Sequence, residues 1–110
     1  MAGVKDRDGR NGAWLEPVAD NGAELVVTIG GEVDISSVAP LRTALEGILE
    51  RQPTKLIFEL RELRFMDSSG IALLITAAQR VGRVELHHPS AMVRRVIELA
   101  GLASTLPMTQ

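Results

Sequence analysis

The segment with the most chemical content is Asp67-Ser68-Ser69-Gly70, which follows an apolar stretch and opens a helical pattern. Asp and Ser favour the first position of a helix, where their side-chain oxygens accept hydrogen bonds from unpaired backbone N–H groups. A serine hydroxyl at this position can also accept a phosphate, which adds about −1.5 to −2 charge at pH 7. The residues alone leave both interpretations open, a plain helix cap and a site of modification.

The helix after this segment carries no charged residue between Asp67 and Arg80. An uncharged second face predicts either a surface that contacts a partner or a helix buried on two sides. If a partner docks there, phosphorylation of Ser68 weakens the docking, because desolvating an unpaired dianion costs on the order of several kcal/mol. The stripe that we assign to the core of the protein consists of Ile71, Leu74, Ile75 and Ala78.

Composition excludes several classes of function. The chain has 110 residues and a net charge of −2, so it fits one domain and lacks a basic field for nucleic acid or for an anionic membrane surface. It has no cysteine, which rules out thiolate metal sites and cysteine nucleophiles.

Neighbouring residues of a strand point to opposite faces, so His87 and His88 are not expected to chelate one metal. With no phosphate-binding loop and no serine-hydrolase elbow around Ser68, we predict no cofactor, no metal and no enzyme activity.

The N-terminal segment Met1–Gly12 is polar and contains three glycines, which predicts a disordered tail before a single domain over residues 13–110. The segment has no apolar core of the kind a signal peptide needs. No run approaches the roughly 18 apolar residues of a membrane span. We therefore expect a cytoplasmic protein that does not insert into a membrane.

Hydrophobic patterns predict the order β-β-α-β-α-β-α. We expect Gly30-Gly31 to end the second strand, and Arg61–Met66 to form a loop. The apolar run Lys55–Leu60 is typical of a strand covered on both faces. The fold class that follows is α/β, a mixed sheet with a parallel core, an N-terminal antiparallel strand and helices mainly on one side. Its predicted elements are strands at Ala13–Val18, Glu24–Ile29, Lys55–Leu60 and Val84–His88, and helices at Val38–Arg51, from Ser69 and from Ser90.

Four segments, spread over roughly Gly22 to Pro107, resemble those of a known family in the same order. On these segments the chain resembles the STAS-domain anti-sigma factor antagonists, and the resemblance implies a STAS-like fold. The third segment matches the family's phosphoacceptor motif in every residue. The segments are Gly31-Glu32-Val33-Asp34, Leu56–Leu60, Phe65-Met66-Asp67-Ser68-Ser69-Gly70, and Ser90–Val96 with Leu99–Leu102 after it.

The resemblance also implies roles for single residues. Ser68 matches the serine that an anti-sigma factor kinase phosphorylates with ATP, and Ser69 matches a second hydroxyl that is not usually the acceptor. Asp34 and Asp67 match acidic residues in the surface that meets the kinase. The partner-binding surface that we predict from the resemblance and from the helix pattern comprises Asp34, Asp67, Ser68, Ser69, Gly70 and Leu73.

The function implied by the resemblance is that of an anti-sigma factor antagonist. The unphosphorylated form would bind the anti-sigma factor and release sigma factor, phosphorylation of Ser68 would end the binding, and a metal-dependent serine phosphatase would reset the protein. An alternative keeps the fold: an accessory subunit of a lipid-transport complex that docks constitutively through the same helix face. A small hydrolase using Ser68 is a third and weaker hypothesis.

Overall fold

A computed structural model describes residues 12–110, so the predicted tail lies outside the described residues apart from Gly12. Strands and helices alternate along this part of the chain, as the hydrophobic patterns predict. The strands are β1 (Ala13–Asp20), β2 (Glu24–Val33), β3 (Lys55–Glu59), β4 (Leu63–Met66), β5 (Val84–His87) and β6 (Met108–Thr109). The helices are α1 (Val38–Leu49), α2 (Ser68–Arg80) and α3 (Ala91–Leu99).

The six strands form one mixed sheet. β1 is antiparallel to β2, and the order continues in parallel through β3, β5 and β6. β4 pairs in parallel with the last residues of β2, beyond the point where β3 ends. The predicted parallel core with an N-terminal antiparallel strand is confirmed.

Helices cover one face of this sheet. Side chains on that face are completely buried, whereas most of those on the other face, such as Ile57 of β3 and Glu85 of β5, are only partly buried. The one-sided packing predicted from three helices is therefore confirmed, and the prediction that Lys55–Leu60 is covered on both faces is wrong. The buried face is formed by Leu25, Val27, Ile29, Leu56, Phe58, Leu60 and Leu86.

The pair Gly30-Gly31 does not end β2, which continues to Val33. Gly31 has a φ of +86°, and a Cβ atom there would overlap the carbonyl group of Gly12. The amide of Glu32 donates a hydrogen bond to that same carbonyl. Gly31 thus permits the start of β1 to approach β2 closely. Because glycines are also typical of turns, the pair Gly30-Gly31 was interpreted as the end of the strand.

The segment predicted as a loop at Arg61–Met66 contains the short strand β4. Only Leu63 and Met66 of β4 are buried, so the strand does not alternate as a regular strand does. The cause is a bulge, because Gly31 pairs with Leu63 but Glu32 pairs with Phe65. A four-residue strand with an interrupted alternation has no signature that hydrophobic periodicity can detect.

None of the helices in residues 12–110 combines the length and the apolar character that crossing a membrane requires.

Candidate functional site

The carboxyl ends of β2 and β4 lie side by side at one edge of the sheet. Val33 pairs with Met66, and the amide of Asp67 donates a 3.2 Å hydrogen bond to the carbonyl of Val33. Asp34 and Asp67 are the first residues beyond this ladder. The structure therefore brings together the two acidic residues that the sequence placed 33 positions apart, at the sheet edge where α/β proteins usually bind ligands and partners.

Asp67 is the N-cap of α2. Its Oδ1 accepts a 2.8 Å hydrogen bond from the amide of Ser69. Its backbone carbonyl accepts hydrogen bonds of 3.0 Å from the amide of Gly70 and 3.1 Å from the amide of Ile71. The helix cap predicted for Asp67 or Ser68 is thus supplied by Asp67, and Ser68 becomes the first residue of the helix.

The two hydroxyls of the motif differ in accessibility. Ser68 is exposed, whereas Ser69 is only partly exposed and its amide is held by Asp67. Ser68 is therefore the more accessible of the two serines. Sequence pattern alone did not distinguish these neighbours, and the preference for Ser68 came from the family resemblance.

The turn after β2 is ordered by its own hydrogen bonds. Oδ1 of Asp34 accepts from the amide of Ser36 at 2.9 Å and from its hydroxyl at 2.7 Å. Ser37 is buried, and its hydroxyl donates to the carbonyl of Glu32 at 2.9 Å and accepts from the amide of Asp34 at 3.0 Å. Ser37 precedes α1 at the cap position, but its side chain does not cap the helix. It holds the turn instead, a role that no sequence pattern indicated.

The hydrogen bonds of this turn keep Asp34 ionised. The hydroxyl of Ser36 contributes most to lowering the pKa of Asp34 below its ordinary value of 3.8, and the backbone amide of Ser36 acts in the same direction. Asp34 is therefore a carboxylate at neutral pH. It forms no ion pair with another residue in the range 12–110.

Gly70 lies inside the fold and not at the surface. A Cβ atom on Gly70 would overlap Cγ of Met66 and would lie 3.3 Å from Cγ1 of Val33. The first turn of α2 therefore rests directly on the ends of β2 and β4. This contact fixes the position of Ser68 relative to Asp34.

The core stripe that we predicted for α2 is only partly right, because Leu74 lies in the core and Ile71 and Ala78 pack against it, but the most deeply buried positions are shifted. The helix buries Gly70, Leu73, Leu74 and Ala77, whereas Ile71, Ile75 and Ala78 are only partly buried. Leu73 is 4 % exposed and belongs to the hydrophobic core, so it offers little surface to a partner. Of the six residues predicted to bind a partner, four lie at the surface of this sheet edge, namely Asp34, Asp67, Ser68 and Ser69, and two support it from inside, namely Gly70 and Leu73.

The two histidines lie at the end of β5 and bind separate carboxylates. His87 Nε2 lies 2.9 Å from Oε1 of Glu85, and His88 Nδ1 lies 2.9 Å from Oε1 of Glu59. Across the part of the chain that the structure describes, no group of three or more acidic or histidine side chains is arranged to hold a metal ion.

Comparison with known proteins places this geometry in a family. The family model described as "Mlab, STAS domain" matches residues 17–109. The anti-sigma-F factor antagonist RsfB of Mycobacterium tuberculosis is 31 % identical over 91 residues, which cover 80 % of this chain and 75 % of RsfB.

Solved structures share the fold. An anti-sigma factor antagonist from Mycobacterium paratuberculosis superposes with a TM-score of 0.82 at 23 % identity, covering 91 % of this chain and 87 % of that one. SpoIIAA of Bacillus has been solved in two forms. The unphosphorylated form gives a TM-score of 0.74 at 26 % identity, covering 87 % of this chain and 88 % of that chain. The phosphorylated form gives a TM-score of 0.68 at 25 % identity, covering 87 % of this chain and 91 % of that chain.

The family model matches residues 17–109. This range includes most of the mixed sheet with its antiparallel first strand and the helix that Asp67 caps. By these features the chain belongs to the STAS domain family, and its relatives within that family are anti-sigma factor antagonists.

Proposed function

We propose that this chain is an anti-sigma factor antagonist that binds an anti-sigma factor kinase while Ser68 is unphosphorylated, so that sigma factor is released, and that phosphorylation of Ser68 ends the binding. The observation that carries the proposal is the exposed Ser68 directly after the Asp67 cap, at the edge where the turn of Asp34 also emerges. The family names of the relatives support the antagonist role.

The cap explains how a phosphate would act. The first amides of α2 already donate to Asp67, through its side chain from Ser69 and through its carbonyl from Gly70 and Ile71. A phosphate on Ser68 would therefore find these amides already hydrogen-bonded. It would lie at the surface beside the carboxylate of Asp67. The fold should tolerate it, because negative charge is favourable near a helix N-terminus.

The same phosphate would weaken the docking of a partner, although the fold tolerates it. Covering a dianion removes its hydration, and this cost is recovered only if the partner supplies a matching cation. A loss of about 3 kcal/mol in the free energy of binding already weakens affinity by more than about 100-fold. One modification can thus switch docking off without refolding the domain. A serine phosphatase would restore the binding form.

Phosphorylation by purified kinases tests the site. The protein is incubated with ATP and each anti-sigma factor kinase encoded in the genome that encodes this chain, and the modified residue is identified by tandem mass spectrometry. We expect one phosphate on Ser68, none on Ser68→Ala, and normal modification of Ser69→Ala. Phosphate on Ser69, or no phosphate with any of the kinases, would contradict the proposal.

A second candidate is an accessory subunit of a lipid-transport complex that docks constitutively. The uncharged, partly exposed side chains of α2, which include Ile75 and Thr76, favour it, because they offer a contact surface about two helical turns away from Ser68. Affinity capture from solubilised membranes separates the two candidates. Recovery of a transporter ATPase, equally by the wild type and by Ser68→Glu, would support the transport role.

A further inference from the structure

We infer that Ile35 and Phe65 form the apolar centre of the surface that docks the anti-sigma factor, and that the partner offers an apolar pocket with a basic rim. This inference deepens the proposed function and rests on it. It assigns the strength of docking to Ile35 and to Phe65, the first residue of the matched motif, neither of which the sequence patterns placed in the partner-binding surface, and leaves the switch to Ser68.

Ile35 is 80 % exposed although it is a large aliphatic residue. It lies in the turn between β2 and α1, and the residues on both sides of it are fixed. Asp34 and Ser36 are joined by two hydrogen bonds, and Ser37 anchors the turn to the carbonyl of Glu32. An ordered turn holds this side chain toward solvent before any partner arrives, so docking against it costs little conformational entropy.

Phe65 is 43 % exposed and is one of only two phenylalanines in the chain. The other phenylalanine, Phe58, is completely buried, as most phenylalanines are. The bulge in β4 is the reason for the difference. Arg64 is the extra residue of the bulge, so that Arg64 and Phe65 are both exposed and Met66 returns to the core. Bulges of this kind redirect side chains next to functional sites.

The two apolar residues lie at the same place in the fold as Ser68. Phe65 directly precedes the last ladder pair, Val33 with Met66, and Ile35 is two residues beyond it. Ser68 is likewise two residues beyond that pair, on the neighbouring strand. Ile35 directly follows Asp34 and Phe65 is three residues before Ser68, so both lie at the carboxyl ends of the paired strands β2 and β4.

The charges around the pair determine the chemistry of the partner. Glu32 is paired with Arg64, with Oε2 3.7 Å from the guanidinium nitrogen. Oδ1 of Asp34 accepts from Ser36, Oδ1 of Asp67 accepts from the amide of Ser69, and neither carboxylate forms an ion pair with residues of the range 12–110. An apolar centre with two unpaired carboxylates beside it complements an apolar pocket edged by Arg or Lys, and complementary potentials of this kind fix the orientation of docking. Asp34 and Asp67 would match these cations, so that a phosphate added on Ser68 would find no further cation to replace its hydration.

Affinity measurements on matched variants test the inference. Binding of the purified anti-sigma factor kinase that phosphorylates Ser68 is titrated against wild type, Ile35→Ser, Phe65→Ser and Val18→Ser. Val18 is the control, since it is 54 % exposed but lies at the bulge of β1, beside the first half of β2 and away from Val33. We expect Ile35→Ser and Phe65→Ser each to weaken binding by about tenfold or more, as truncated central anchors do, and Val18→Ser to change it by less than about twofold.

The outcomes separate this inference from the proposed function. Normal affinity of both Ile35→Ser and Phe65→Ser, with a wild type that still binds and is still released by phosphorylation, overturns the inference alone. A wild type that binds no anti-sigma factor overturns both. Thermal melting of each variant checks folding, and Ile35→Ser, whose side chain contributes least to the core, decides the question if Phe65→Ser is unstable.

Discussion

At the level of single residues, Asp67 combines two properties that substitution can separate. Its Oδ1 starts α2 by accepting from the amide of Ser69, and its charge stands beside the hydroxyl of Ser68. Asparagine keeps an acceptor oxygen of the same reach without the charge, and alanine removes both. The two variants therefore report on the cap and on the charge independently.

We predict that Asp67→Ala lowers the free energy of unfolding by about 0.5–2 kcal/mol, because an amide of the first helical turn loses its acceptor. Asp67→Asn should stay within a few tenths of a kcal/mol of the wild type, since Asn is also a preferred cap. Urea denaturation followed by circular dichroism measures both. Equal losses for the two variants would show that charge, and not the cap, stabilises this position.

Ser68 and Ser69 illustrate the limit of sequence reasoning at this scale. The cap and the start of α2 followed from residue preferences, and the structure confirms Asp67 as the cap. The difference in exposure between the two serines depends on how the first turn of α2 rests on Met66, which is a tertiary contact. No local pattern encodes it, so only the resemblance to a known motif pointed to Ser68.

At the level of elements, the approach of α2 to the strand ends depends on Gly70. An alanine there would overlap Cγ of Met66, which is 3 % exposed and cannot move freely. Either α2 shifts outward or Met66 changes its rotamer. Each response displaces the first turn, which carries Ser68.

We predict that Gly70→Ala destabilises the protein by about 1–3 kcal/mol, the usual cost of overpacking a core contact. Gly47→Ala is the matched control, because Gly47 lies in α1 with open space around its missing Cβ. This control should stabilise by about 0.5–1 kcal/mol through better helix propensity. Chemical denaturation of both variants measures the two changes. An unchanged free energy of unfolding in Gly70→Ala would show that the Met66 side chain can move aside without cost, and would contradict the prediction.

The elements were predictable where their period was long and clear. The helix predicted at Val38–Arg51 is α1, and its buried residues follow the helical spacing of the apolar positions, at Val38, Leu41, Leu45, Ile48 and Leu49. α2 was different, because Ala and Leu surround it on all sides and its apolar period does not select one face. The stripe was assigned only partly correctly for that reason. β4 was missed because its bulge removes the alternation that marks a strand.

For the whole molecule, stability should depend on carboxylates that are hydrogen-bonded in the folded state. The pKa of Glu85 is lowered from its ordinary value of 4.5, first by a hydrogen bond with His87 and then by Lys55 and Arg83, while burial opposes the shift. The pKa of Asp34 and that of Asp20 are lowered from 3.8. Asp20 is lowered first by the amide of Gly22 and then by the paired Arg51.

The direction of the pH effect follows from these shifts. Each carboxyl binds a proton more weakly when folded, so the unfolded chain takes up more protons as the pH falls. We predict that the free energy of unfolding is highest above pH 4.5 and declines as the pH falls through 4.5 and then 3.8. Glu85→Gln should flatten the first part of the decline, whereas Glu98→Gln, on the exposed side of α3, should leave it unchanged. Urea titrations at a series of pH values measure this, and a decline that Glu85→Gln leaves intact would contradict it.

The central claim for the whole molecule is that one phosphate on Ser68 controls docking while the fold stays the same. Isothermal titration of a purified anti-sigma factor kinase with the unphosphorylated protein and with protein fully phosphorylated on Ser68 tests it most directly. We predict that phosphorylation raises the Kd by about 100-fold or more while the circular dichroism spectrum does not change. Equal affinity of the two forms would contradict the account.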